Sequence, residues 1–284
     1  MISLRWGERT YVMGIINLTA DSFSGDGLAR PGRGQAEILA TALAQARGYI
    51  EAGAEILDVG AESSRPAQFY GDHPPMNSAE EAAIAVPVVA ALARTFGPRA
   101  MVSIDTSKEE VARSALAAGA TIVNDVWAAR RDPGTAVAAA EAGAYLVLMH
   151  NQELAEYPDG LFETVAGYLS SAVDDAIAAG VPRERVIVDP GIGFGKLPGH
   201  SVEILHRLAE LKAALGGLPV LVGTSRKRFI GELLGGAPPK DRLEGTAATV
   251  ALAIAAGADI VRVHDVAPIM RTVAVADAIV RWPS

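Results

Sequence analysis

A short phrase of apolar and polar positions recurs along the chain. It reads EAGAEILDVG at 51–60, AAGATIVNDV at 117–126, EAGAYLVLMH at 141–150 and AAGADIVRVH at 255–264, with a looser copy, AAGVPRERVIVDPG, at 178–191. In each copy a helical stretch meets a glycine, then a short apolar run, then polar residues. Glycine just past a helix supplies the left-handed residue that ends it. A short β-branched run behind it has the pattern of a buried strand. Each phrase therefore predicts a helix-to-strand junction. Three further apolar runs, at 11–16, 100–104 and 219–223, follow the same grammar and bring the predicted strands to eight. Helical patterns at 35–52, 78–95, 107–118, 161–179, 200–214 and 241–256 fill intervals between them.

Strands that alternate with helices imply a parallel sheet with right-handed crossovers. Eight such units in 284 residues match the α/β class and a closed (β/α)8 TIM barrel. An open doubly wound sheet is the alternative, but it carries one glycine-rich turn after its first strand. Here polar residues follow nearly every strand, which favours the barrel. No linker or low-complexity segment divides the chain, so residues 1–284 are expected to form a single domain.

Composition narrows the function classes. The chain has 25 basic against 33 acidic residues and no basic run, which argues against a nucleic-acid partner. It has no cysteine, which excludes disulfides, thiolate nucleophiles and cysteine-ligated metals and fits a cytoplasmic location. The opening MISLRWGERTYVMG lacks the pattern of a signal peptide. The uncharged stretch 245–258 is too short to cross a bilayer and reads as a buried helix, so no membrane partner is expected.

In such a barrel the active site stands at the C-terminal ends of the strands. The predicted tips carry Asn17, Asp58, Asp105, Asn124 with Asp125, His150, Asp189, Ser225 with Lys227, and Arg262 with His264. Any one of these alone reads as a turn former or helix cap. Eight tips facing one mouth gather the polar groups as a set. Asp105 and Asp189 can each accept paired N–H donors, and Asn124 offers a donor and an acceptor. Those groups suit a flat, nitrogen-rich heterocycle. Lys227, Arg262, His264 and Arg65 supply positive charge for a phosphate or diphosphate.

The glycine-rich stretch IVDPGIGFGK at 187–196 invites a phosphate-loop reading, and its spacing refuses it. Three residues, not four, separate Gly191 from Gly195-Lys196, and Leu197 follows where Ser or Thr is required. A tight turn after a strand is the favoured reading on spacing alone. Glycines that let Phe194 lie against a flat ring are the functional one. Lys196 is expected to be a surface charge. The five histidines show no tight metal spacing, which argues against a zinc enzyme. A Mg2+ that travels with a diphosphate needs only one or two protein oxygens, and Asn17 could supply one.

Across these residues the chain resembles the dihydropteroate synthases. The matching segments are MGIINLTADSFS (13–24), ILDVGAESSRP (56–66), VSIDTSKEEVA (102–112), IVNDV (122–126), LVLMH (146–150), VDPGIGFGK (188–196), LVGTSRKRFIG (221–231) and GTAATVALAIAAGADIVRVHDV (245–266). The resemblance implies a (β/α)8 barrel, usually a homodimer and the target of sulfonamides. It implies an enzyme that joins p-aminobenzoate to a dihydropterin hydroxymethyl diphosphate with release of diphosphate. Asp105, Asn124, Asp189 and Lys227 would then hold the pterin ring, with Val126 and Met149 lining its pocket. Asn17, Arg65, Arg262 and His264 would hold the diphosphate, with Mg2+ on Asn17. Ser64, Pro66, Phe194 and Ser225 would border the p-aminobenzoate site, and Phe23 would close over it. Lys227, Asp105, Asp189, Arg262 and His264 would carry the catalytic effect.

The chain departs from the family pattern mainly in loops. Ala20 stands where proline is usual, the first-loop aspartate is displaced to Asp26, and Ala61 and Ala67 replace glycines. Ser64 replaces threonine, and NQELAEYPDG (151–160) replaces a glycine- and proline-containing loop. A corrinoid-type pterin methyltransferase is an alternative with the same pterin clamp, but SSRP (63–66) and TSRK (224–227) argue against it. A non-catalytic pterin-binding relative is the other, prompted by the altered first loop.

Overall fold

The structure, a computed structural model, describes residues 4–19, 27–28, 34–62 and 76–282. Eight parallel strands form one sheet: β1 (Tyr11–Asn17), β2 (Ile56–Gly60), β3 (Met101–Asp105), β4 (Ile122–Asp125), β5 (Tyr145–Met149), β6 (Val186–Asp189), β7 (Leu221–Val222) and β8 (Ile260–Val263). Their spatial order is β6-β5-β4-β3-β2-β1-β8-β7. The ring closes where Val188 N donates to Pro219 O at 2.9 Å and Val188 bridges Val220.

Between the strands run α1 (Gln35–Ala52), α2 (Ser78–Phe96), α3 (Glu109–Ala117), α4 (Gly134–Ala142), α5 (Leu161–Ala178), α6 (Pro198–His206), α7 (Leu208–Ala214), α8 (Arg228–Leu233), α9 (Leu243–Ala255) and α10 (Val266–Val280). The architecture is the (β/α)8 barrel expected from the repeats. Gly53 closes α1 at φ 107°, where a side chain would be strained, and the glycines at the matching place in the other four copies also have positive φ. Asn77 caps α2 through a reciprocal bond pair with Glu80. No helix among the described residues is long and apolar enough to cross a membrane.

Three expectations needed correction. The helix expected over 200–214 is two helices, broken at Arg207 with φ −99° and ψ 17°. The strand expected over 219–223 shrinks to two residues, because the buried Asp259 carboxylate takes the Val220 N–H at 2.8 Å in place of a ladder bond. The stretch 245–258 is helical but not buried all round. Thr246, Val250, Ala253 and Ile254 face the core, whereas Leu252 is 70% exposed.

Side chains on a strand alternate in direction, so every second residue points into the barrel. Met13, Ile56, Met101, Ile122, Val147, Ile187, Leu221 and Ile260 form one apolar cluster there. Leu4 and Tyr11 join it, and Trp6 packs edge-on against Tyr11 and Tyr145 at 6.0 Å, so the N-terminal segment plugs the lower end. The opposite faces of the strands pack on the helices in a larger apolar core. Both strand faces are therefore buried, which is why these strands read as near-continuous apolar runs.

Candidate active site

Two residues further along each strand, the interior changes character. The next inward positions are Ile15, Asp58, Ser103, Asn124, Met149, Asp189, Gly223 and Arg262. A cleft opens directly above them. It is lined by Ile15, Asn124, Val126, Met149, Asp189, Phe194, Gly223, Ser225, Lys227, Arg262 and His264, around roughly 390 Å³ of open space.

Arg262 forms the floor of the polar layer. Its Nε donates to Asp58 Oδ2 at 2.6 Å and its Nη2 to Asp105 Oδ2 at 2.7 Å. Asn124 Nδ2 donates to the same Asp58 oxygen at 3.1 Å. Asp58 is fully buried and joins Arg262 to Asn124. Burial pushes the Asp105 carboxyl up to about 7, against the pull of Arg262 and with added repulsion from Asp58. The two carboxylates hold the guanidinium charged, raising Arg262 further despite its burial. Gly60 makes room for Asp105, since a Cβ there would lie 3.3 Å from the Asp105 Cβ.

Asp189 ends β6 and accepts from Gly191 N at 2.7 Å. Burial raises its carboxyl, while Lys227 and the Gly191 N–H pull it down. Lys227 stands across from it and donates to the Ile192 carbonyl, with its ammonium 4.3 Å from the centre of the Phe194 ring. The glycines between these groups have a physical reason. Gly191 sits at φ 67°, and a Cβ there would collide with the His150 carbonyl. At Gly193, φ 78°, a Cβ would lie 3.0 Å from Lys227 Cδ. The loop thus folds tightly enough for Phe194 to line the cleft.

Lys196, expected on the surface, is buried instead. Its Nζ lies 2.7 Å from His150 Nδ1 and donates to Phe194 O at 3.2 Å, so the lysine props its own loop from beneath. Burial drives its ammonium well below the usual lysine range and lowers His150 to about 3, with the neighbouring Lys196 charge adding to the latter. Tyr157, in the departing segment 151–160, supports the same loop by donating to Gly195 O at 2.6 Å.

Ser225 and His264 meet on the far side of the cleft. Ser225 Oγ accepts from His264 N at 3.1 Å and lies 3.0 Å from His264 Nδ1, and both residues line the cleft. Tyr49 OH donates to His264 O at 3.0 Å. Asn17 stands at the end of β1, in register with Gly60, which is itself in register with Asp105. Its Oδ1 already accepts from Thr19 N at 3.3 Å and Thr19 Oγ1 at 2.9 Å. Among the described residues, no group of three or more acidic or histidine side chains could hold a metal ion.

The structure therefore gathers Asn124, Val126, Met149, Asp189, Phe194, Ser225, Lys227, Arg262 and His264 around one cleft, with Asp105 behind Arg262 and Asn17 at the rim strand. Phe23, Ser64, Arg65 and Pro66, with the departures Ala20, Asp26 and Ala67, lie outside the described residues. Sequence reasoning named Asp58 as a tip but gave it no role, and it missed Ile15 and Gly223. The signal was present: all three share the inward phase of their strands.

Comparison with known proteins finds near full-length relatives. The model of the pterin-binding enzyme family matches residues 13–264. A dihydropteroate synthase of Synechocystis is 43% identical over 97% of this chain and 92% of its own length. The dihydropteroate synthase of Clostridium difficile, solved with pteroic acid, superimposes with a TM-score of 0.88 at 40% identity, covering 98% of this chain and all of that one. The Xanthomonas albilineans enzyme, solved with 4-aminobenzoic acid, gives 0.85 at 38% identity over 97% and 94% of the two chains. A barrel with this strand-tip cleft and these near full-length relatives belongs to the pterin-binding enzyme family.

Proposed function

We propose that the chain is a transferase of folate biosynthesis with dihydropteroate synthase activity. It condenses 6-hydroxymethyl-7,8-dihydropterin diphosphate with p-aminobenzoate to 7,8-dihydropteroate and diphosphate. The observation that carries the reading is the convergence of Asn124, Asp189, Lys227 and Arg262 on one cleft at the strand ends. Relatives at this identity bear the activity in their names, and solved neighbours hold pteroic acid and 4-aminobenzoic acid.

Asp189 and Asn124 accept and donate along the amino-pyrimidine edge, with Asp105 reached through Arg262, while Val126 and Met149 cover the ring faces. The electron-rich pterin stabilises positive charge at its exocyclic carbon as the carbon–oxygen bond to diphosphate breaks. Arg262 and His264 stabilise the departing charge, at roughly 3 kcal/mol per well-placed donor, and the family resemblance assigns Arg65, outside the described residues, to the same task. The p-aminobenzoate nitrogen, beside Phe194 and Ser225, forms the new carbon–nitrogen bond and releases a proton; the family resemblance assigns Phe23, Ser64 and Pro66, outside the described residues, to the same subsite. Holding both partners in line supplies much of the remaining acceleration.

Mg2+ fits this site only as a companion of the diphosphate. The sole protein oxygen assigned to it, Asn17 Oδ1, is engaged twice by Thr19 and must give up one of those bonds. When bound, the metal neutralises diphosphate charge. A homodimer agrees with exposed Leu252 on α9 and exposed Val275, Ile279 and Trp282 on and just after α10, apolar side chains that a partner could cover. Light scattering at twice the chain mass supports it; a monomer at micromolar concentration refutes it.

The test of the activity is direct. Purified protein with Mg2+, the pterin diphosphate and p-aminobenzoate should yield dihydropteroate by mass spectrometry, and a sulfonamide should compete with p-aminobenzoate. Absence of product overturns the reading.

A further inference from the structure

The loops after β7 and β8 are joined twice. The inner joint is Ser225 with His264, both facing the cleft. The outer joint is one residue further on in each loop. Arg226 donates through Nε to Asp265 Oδ2 at 2.9 Å and through Nη2 to Asp265 Oδ1 at 2.6 Å. This is a parallel two-bond fork, the geometry that fixes angle as well as distance between its partners. Neither side chain lines the cleft.

The backbone of Arg226 is also held in an unusual state. Its φ is +58°, a left-handed conformation that disfavours any residue carrying a Cβ. Helix α9 and Arg242, the residue that caps its start, fix that turn from behind. Arg226 N donates to Thr246 Oγ1 at 3.2 Å, Arg226 O accepts from Arg242 Nη1 at 2.8 Å, and Thr249 Oγ1 donates to Thr224 Oγ1 at 2.9 Å. On the other loop, Asp265 heads α10 and its carbonyl accepts from Ile269 N at 3.2 Å. Two separately anchored turns are thus locked to each other at this outer joint by one ion pair.

The geometry points to Arg226 and Asp265 as positioning residues that set the separation of Ser225 from His264. This rests on the proposed function, in which Ser225 borders p-aminobenzoate and His264 faces the diphosphate. The pair therefore ties the two substrate subsites together. Loosening it shifts both at once, without removing any group that touches a substrate.

The experiment is a double-mutant cycle on the full chain with Asp265→Asn, Arg226→Gly and the double variant. Glycine tolerates φ +58°, so Arg226→Gly removes the fork while leaving the turn unstrained. Each single variant should lower kcat/KM about tenfold and raise KM for both substrates together, with an unfolding midpoint near wild type. The double variant should be no worse than either single one, because all three break the same bond pair. Should a variant fail to fold, Arg226→Lys, which keeps the charge without the fork, is measured in its place and should show the same paired rise in KM. Unchanged KM values, a rise for one substrate only, or additive losses overturn the inference. If wild-type protein itself makes no dihydropteroate, the proposed function fails instead.

Discussion

The two layers inside the barrel stand one strand step apart and do opposite work. The lower one is entirely apolar, from Met13 round to Ile260. The upper one holds Asp58, Asn124, Asp189 and Arg262 on the same strands. In the lower layer each side chain gains by leaving water, and packing alone decides its identity. At the upper layer and the strand end just beyond it, burial raises the Asp189 and Asp105 carboxyls, so the fold holds charge at a cost that a ligand can relieve. Stability is concentrated below and binding chemistry above, on one set of strands.

That division is open to attack from either side. The largest effect should come from the upper layer. Lys227→Ala or Asp189→Asn should lower kcat/KM about a thousandfold, near 4 kcal/mol of transition-state stabilisation, with the thermal midpoint within a few degrees of wild type. Normal turnover in either variant would refute the site assignment. Next, Ile187→Ala, two residues before Asp189 and fully buried, should cost about 3 kcal/mol of unfolding free energy while KM for the pterin diphosphate stays put. A raised KM with intact stability would dissolve the distinction between layers.

The smallest effect concerns pH. A carboxyl whose folded-state value is raised holds its proton more readily than in the unfolded chain. The contribution of Asp105 to stability is therefore lost as pH rises from about 4 towards about 7. Pterin binding runs the other way, because a protonated carboxyl cannot accept two N–H donors. Affinity for 6-hydroxymethylpterin, followed by calorimetry, should fall as the pH drops through the range where the raised Asp189 carboxyl takes up a proton, by up to about tenfold per unit. A flat profile between pH 8 and 5.5 would show that Asp189 does not accept from the ring.

Much of this was legible before any coordinates. The repeated helix–glycine–strand phrase placed most strands to within a residue or two, since local rules govern both the glycine stop and the apolar run. The tips followed, because strand phase decides which residue faces inward. What escaped depends on contacts between distant residues. Lys196 looks like a surface charge in its local stretch, and only His150, 46 residues earlier, explains its burial. The shortening of β7 is set by Asp259, 39 residues beyond Val220. Asp58 hid for the same reason, since its partners Asn124 and Arg262 lie 66 and 204 residues away.

The closure of the barrel has a mechanical consequence. Seven of its seams are ladders of two to five residue pairs, while the eighth, between β6 and β7, is a single bridge at Val188 and Val220. Hoop stiffness is therefore lowest at that seam, and Asp189 and Lys227 stand on its two banks. A ring gripped by both would act as the missing rung. Slower amide exchange at 186–189 and 219–223 once a pterin is bound is how that stiffening would register.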